Sequence, residues 1–375
     1  MATRARNSEY TKEYNRNNFI RILRNKSLSR SELARKLGLT RSAASLIVDE
    51  LINDGFILKE ENKKPMGRVS LPLMLNSSRI YSIGVFLTRK SCRIGIVDLC
   101  GNVVSSKNIT CNKPEDLDAL SSAINDLIDK KNINRNSIVG VGISAPGPLD
   151  GESGQLFNPP GFEAFHHVQI TNILKEKLNL PVYLANDAVS LAQYNLGKKE
   201  ANNSENFLLL LVNEGIGSGV VIRGKVLKGQ GYFTGELGHT SINYNGKKCI
   251  CGNRGCLEAY ASITNLLEGT NYSSWKEVMN NYLTSSLAKE LVNKEVEYLS
   301  IGIVNLINLI SVDTILLAGD LLYKANIFAS LLEENINKIY LRRDAINIKV
   351  LPSCEGESIP LCAAADIAFN AFLSV

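Results

Sequence analysis

One imidazole and three thiols fall within residues 239–256: His239, Cys249, Cys251 and Cys256. That donor set suits Zn2+ in a closed tetrahedral site, where a structural metal ties loops together and keeps no position open for chemistry. Asn245-Gly246, between the imidazole and the first thiol, is a turn signal that folds the chain back and brings Cys249 towards His239. A single residue separates Cys249 from Cys251, tighter than the usual finger spacing, so spacing alone leaves open a set of unmetallated buried thiols. Three of the eight cysteines crowd into this stretch and the rest are scattered among apolar residues, which favours a metal over a disulfide framework.

A second constellation lies near the N-terminus and is suited to reading DNA. Thr40, Arg41, Ser42 and Ser45 stand at the start and on one face of a segment whose opposite face carries Ala44, Ile47, Val48, Leu51 and Ile52 at helical spacing. Short hydrogen-bonding side chains and an arginine at the start of a recognition helix meet base edges in the major groove.

These residues require a scaffold, and the neighbouring sequence supplies its parts. Residues 15–25 place Phe19, Ile22 and Leu23 at helical spacing. Ser29-Arg30-Ser31-Glu32 matches a capping box, opening a helix that buries Leu33, Ala34 and Leu37 and turns at Gly38. After Gly55, the stretch FILKEENKKPMGRVSLPLML reads as strand, turn and strand, a wing with Lys63, Lys64 and Arg68 at its tip, where cations meet phosphates or the minor groove.

Charge distribution supports this division. Residues 1–75 hold 15 lysines and arginines against 8 acidic residues, whereas residues 76–375 hold 27 against 29. A basic head on a neutral body is the pattern of a nucleic-acid-binding module, although charge alone fits a solvated basic face equally well. No apolar run is long enough to cross a bilayer and the start lacks a secretory signal, so a cytoplasmic protein without membrane contact is expected.

From Tyr81 onward the sequence alternates apolar strands (YSIGVFL, CRIGIVDL, SIVGVGIS) with helical periodicity such as DLDALSSAINDLIDKK. NFLLLLV, GVVIRGKVLKG and ISVDTILLAGD then repeat the strand pattern, suggesting an internally duplicated α/β body.

Together SRSELARKLGLTRSAASLIVDELINDG, SAPGPLDGESG, the dipeptide Asn186-Asp187, GELGH and CICGNRGCLE resemble the ROK family of repressors, open reading frames and sugar kinases, over nearly the whole chain. The resemblance implies a winged helix-turn-helix at 1–76 and, at 77–375, a two-lobed actin/hexokinase-like ATPase fold of duplicated ribonuclease-H-like lobes. The lobes divide at about residue 200, with the zinc motif in the second. It also implies zinc on His239 and the three cysteines, sugar contacts from Asn186, Glu236, His239 and Glu258, and a general-base position at Asp187.

Several positions depart from the family's kinases. Phe86-Leu87-Thr88-Arg89 stands where the first phosphate motif places an aspartate and glycines, Glu214 where a threonine is usual, and the third motif is reduced to Ala318-Gly319-Asp320. Each change argues against ATP and leaves Asp187 a vestigial base, with the glycines of 215–219 kept for a tight hairpin. Asn158-Pro159-Pro160 is followed by Gly161 rather than the family's sugar-contacting asparagine, so Asn158 is expected to substitute or the ligand to differ, and His166 and His167 lie just downstream. The expected function is a non-enzymatic repressor of carbohydrate-utilisation genes, binding double-stranded operator DNA as a homodimer or homotetramer and responding to a small sugar. The rivals are an active sugar kinase with a DNA-binding head and a repressor controlled by a protein partner.

Overall fold

A computed structural model describes residues 8–58, 71–89, 91–201, 204–229 and 234–374. The head is built from α1 (Ser8–Asn25), α2 (Arg30–Leu37) and α3 (Arg41–Asn53). Ser29 and Glu32 make the reciprocal capping box: Ser29 N donates to Glu32 Oε2 at 2.8 Å, and Glu32 N donates to Ser29 Oγ at 3.4 Å. Thr40 caps α3 by accepting from Ala43 N at 3.2 Å. Ala44, Ile47, Val48 and Leu51 are buried against Phe19, Ile20 and Leu33, an apolar stripe whose larger members each contribute about 1.5–3 kcal/mol on burial. Ile57 pairs antiparallel with Leu75, forming the base of the expected wing, while its tip residues Lys63, Lys64 and Arg68 lie outside the described residues.

The body has two sheets. The first contains β1 (Tyr81–Leu87), β2 (Cys92–Asp98), β3 (Val103–Ile109) and β4 (Ile138–Ala145), with α4 (Asp116–Lys130) on the crossover. After β4 come the two-residue strands β5 (Leu149–Asp150) and β6 (Gln155–Leu156), α5 (Ile170–Leu178), β7 (Val182–Asn186) and α6 (Asp187–Asn195). The second half runs through β8 (Phe207–Val212), β9 (Ile216–Ile222) and β10 (Lys225–Val226), then α7 (Glu258–Ala261), α8 (Ile263–Leu266), α9 (Trp275–Asn281) and α10 (Ser286–Leu309). It closes with β11 (Thr314–Gly319), α11 (Ala325–Ile339), β12 (Lys349–Pro352) and α12 (Ile359–Phe372).

The duplication is visible in the strand orders, β3-β2-β1-β4-β7 and β10-β9-β8-β11-β12. In each sheet two antiparallel pairs are followed by two parallel ones. The halves exchange helices. α12, from the end of the chain, lies on β1 and β4 of the first sheet, while α6, from the first half, lies on β9 of the second. Close approach requires glycine: a Cβ on Gly142 would fall 2.0 Å from Ala364 O, and one on Gly219 would fall 2.6 Å from Ala188 O. The glycines of 215–219 therefore do more than shape a hairpin, since those beyond the turn make room for α6.

The lobes do not separate cleanly at residue 200. α12 returns to the first sheet because its small face, Ala364, Ala365 and Ala368, fits that glycine-lined surface, and it packs against α6 as well. The head is not isolated either: Phe19, Leu51 and Ile57 belong to one apolar cluster with Val97, Leu99, Ala365 and Phe369 of the body.

Candidate functional site

A cavity of about 400 Å³ opens between the sheets. Phe86, Pro146, Asn186, Asn213 and Asp320 line it, each at or near the carboxyl end of a strand that has a parallel neighbour: β1, β4, β7, β8 and β11. In α/β sheets that is where ligands bind, since loops converge there and helices begin.

β7 passes directly into α6, so Asn186 ends the strand and Asp187 begins the helix. Asn186 is committed to capping, its Oδ1 accepting from Val189 N at 3.2 Å, which leaves its amide nitrogen for the cavity. Asp187 Oδ1 accepts from Ala188 N at 2.7 Å. Burial nevertheless pushes the Asp187 carboxyl up to about 6, against the opposing pull of that N–H and of the Arg89 charge.

Glu236 stands before the short turn Leu237–His239 and faces the same space. Burial first, then the charges of Asp187 and Glu258, push its carboxyl up to about 7. Glu258, at the start of α7, is buried and pinned by Ile216 N, which donates to its Oε2 at 2.8 Å. Together Asn186, Asp187, Glu236, Glu258 and His239 line one cavity, with acceptors suited to ligand hydroxyls.

Asn158 is not brought to it. A Pro159–Phe162 turn, closed by Phe162 N donating to Pro159 O at 3.1 Å, carries this loop to an adjoining cavity of about 380 Å³, where Pro160 and Gly161 but not Asn158 are lining residues. The His166 ring hydrogen-bonds Pro159 O at 3.1 Å, and neither His166 nor His167 lines either cavity. Missing from the expected ligand set was Arg89, which lines both; its signal was a basic pair, Arg89-Lys90, just after a buried strand. Glu214 and Asp320 also face the first cavity, so carboxylates surround the place where a kinase would bind polyphosphate.

The four donors of the cysteine motif meet at the edge of this cavity. Cys249 Sγ lies 3.6 Å from His239 Nδ1, Cys251 Sγ lies 3.7 Å from Cys256 Sγ, and all four donor atoms fall within 4.8 Å of one another. A tetrahedral zinc with bonds of about 2.0–2.3 Å needs edges of about 3.5–3.8 Å, so the residues fit the ion. The chain reverses where Gly246 N donates to Asn243 O at 2.9 Å, placing the turn one residue earlier than Asn245-Gly246 implied. Such an ion would order the loop that carries Glu236, His239 and Glu258.

On the head, Thr40, Arg41 and Ser42 are exposed and Ser45 is half-buried on the outward side of α3. Leu46, 66% exposed in the same helix, was not anticipated; it is an apolar residue outside the buried stripe, suited to contact a thymine methyl.

Fold and site define a sugar-kinase-like two-lobed body carrying a winged helix-turn-helix. Residues 82–371 match the ROK family and residues 21–57 match a winged helix-turn-helix DNA-binding domain, so the chain belongs to the ROK family. It is 26% identical to the xylose repressor of Bacillus subtilis over 94% of each chain. It is 30% identical to the xylose repressor of Caldicellulosiruptor bescii over 88% of each, and 25% identical to the DNA-binding transcriptional dual regulator NagC of Escherichia coli over 87% of this chain and 85% of that one. A solved ROK family transcriptional regulator, described as a homologue of E. coli MLC, superposes over 97% of this chain and 98% of its own, with a TM-score of 0.79 at 23% identity. The ROK hexokinase of Thermus thermophilus covers 78% of this chain and 99% of its own, with a TM-score of 0.66 at 27% identity. Among the described residues, no helix is long and apolar enough to cross a membrane.

Proposed function

We propose that this protein is a DNA-binding transcriptional repressor of carbohydrate-utilisation genes whose grip on its operator is set by a sugar bound between the lobes. One observation carries the reading: the sugar cavity and the DNA-binding head are joined through packed helices. Asp187 starts α6, α6 packs on α12, and Asp366 of α12 pairs with Arg24 of α1 at 2.6 Å. A ligand that draws Asp187 and Glu236 together changes the angle between the lobes, and α12 transmits that change to the head. The repressors among its relatives support the same reading.

The head reads paired half-sites, which makes the working form a homodimer or homotetramer on a near-palindromic operator. Zinc on His239, Cys249, Cys251 and Cys256 is structural. The sugar-facing groups are Asn186, Asp187, Glu236, Glu258 and His239; Asn158 stays outside this set. On the DNA side they are Thr40, Arg41, Ser42, Ser45 and, in the wing, Lys63, Lys64 and Arg68.

On this reading the cavity binds a sugar without phosphoryl transfer. Phe86 and Arg89 occupy the position of the first phosphate loop, and Glu214 and Asp320 add negative charge beside a would-be triphosphate. Operator binding by the full chain, titrated with xylose, N-acetylglucosamine and other common sugars, tests the repressor reading; an affinity unaffected by every sugar would refute ligand control. A coupled ATPase assay with the same sugars tests the absence of catalysis, and turnover abolished by Asp187→Asn would overturn it.

A further inference from the structure

Among the described residues Arg89 is the one arginine or lysine lining the main cavity, where Asp187, Glu214, Glu236, Glu258 and Asp320 all contribute carboxylates. None of them makes a hydrogen bond or close ion pair with it, although its charge acts on Asp187. Among the described residues no hydrogen bond or ion pair reaches its guanidinium, and its Nε is shut off from solvent without a partner. An N–H shut off from solvent with no acceptor is costly, so the position of Nε calls for a hydrogen-bonding partner.

Two glycines make room for it. A Cβ on Gly161 would lie 3.3 Å from both Cδ and Nε of Arg89, and one on Gly215 would lie 3.2 and 3.4 Å from its two terminal nitrogens. The glycine at 161 and the arginine at 89, two separate departures in the sequence, are thus one arrangement in space. Arg89 also stands where the main cavity meets the adjoining one, whose wall carries Lys247 and Lys248 together with Glu214, Glu258 and Glu268. Lys247 lies 3.8 Å from Glu268, and no ion pair reaches Lys248 among the described residues.

We propose that Arg89 determines specificity by binding an anionic substituent of the effector, so that the ligand is a sugar bearing a carboxylate or phosphate group. The sugar ring lies against Asp187, Glu236 and Glu258, whose acceptors take its hydroxyl protons. The anionic group meets the guanidinium where the two cavities adjoin, the second of which Lys248 also lines. A guanidinium has only donors, arranged to match two oxygens of such a group, whereas the carboxylates around it match only hydroxyls.

The proposal rests on the reading of the cavity as a sugar site, and calorimetry on the full chain distinguishes failure of one from failure of the other. The probes are glucose, glucose 6-phosphate and glucuronate, with xylose and xylose 5-phosphate as a second series. An anionic member binding about tenfold or more tighter than its neutral parent, with that preference lost in Arg89→Gln and partly kept in Arg89→Lys, is the expected result. Whether the phosphate ester or the uronate wins identifies the source of the charge. A neutral parent binding as tightly as its anionic forms, or a preference surviving in Arg89→Gln, overturns the role of Arg89 and leaves the sugar site standing. No binding by any member of either series overturns both. Thermal unfolding of the ligand-free variants checks that they fold like the parent.

Discussion

Arg24 in the first helix of the head and Asp366 in the last helix of the body form a 2.6 Å ion pair with each side chain only 12% exposed. The same guanidinium donates to Leu99 O at 2.9 Å and lies 4.4 Å from the centre of the Phe369 ring. Head and sensor are therefore held by a partly buried, oriented contact rather than by a tether. Asp366 lies in the helix that packs on α6, and α6 starts at the cavity.

Asp366→Asn should weaken this joint by leaving Arg24 without its countercharge, at a cost of about 3 kcal/mol for a pair this buried. The sugar should still bind, but its effect on operator affinity should shrink several-fold. Anisotropy of labelled operator with and without sugar measures the coupling, and calorimetry with sugar alone measures binding. An unchanged sugar effect would show that the signal takes another route.

Metal removal should unfold the loop that carries Glu236, His239 and Glu258. The full chain is expected to hold one zinc per protomer, and Cys249→Ser or a strong chelator should lower its melting temperature and abolish sugar binding together. Elemental analysis with calorimetry checks both. Sugar affinity retained in a metal-free chain would separate the knuckle from the pocket.

On the head, Arg41→Ala should reduce operator affinity by about 1–3 kcal/mol if its guanidinium meets a base. Leu46→Ala should relax the preference at one A·T pair while leaving the salt dependence of binding unaltered, because an apolar contact releases no counterions. Binding-site selection with each variant reads out the altered position. Identical preferences in both variants would remove this face of α3 from recognition.

The raised carboxyl of Asp187 should make the ligand-free protein less stable as pH rises. Its folded value, about 6, lies above the ordinary 3.8. The stability it contributes is fully present below about pH 4 and is lost as pH climbs through 6, because folding then holds a desolvated charge. Asp187→Asn should flatten this part of the profile and stabilise the ligand-free chain at pH 8 by an amount on the order of 2 kcal/mol. Melting temperature against pH for the two proteins tests the sign, and a variant less stable than the parent at pH 8 would reverse it.

The local features of the head were legible in the amino-acid order, because capping and helical periodicity act between residues three or four apart. Ser29, Glu32, Thr40 and the stripe from Ala44 to Leu51 are examples. The grouping of His239 with Cys249, Cys251 and Cys256 could also be read there, since residue type alone restricts what such a set can hold. Tertiary structure decided what depends on contacts distant in sequence: α12 returning to the first sheet, Arg24 meeting Asp366, and Asn158 turned away from the cavity. It also showed that Arg89 and Gly161 belong together. Nothing local specifies which strand a helix will cover or which cation will be left without a partner, because those outcomes follow from how the two halves pack against each other.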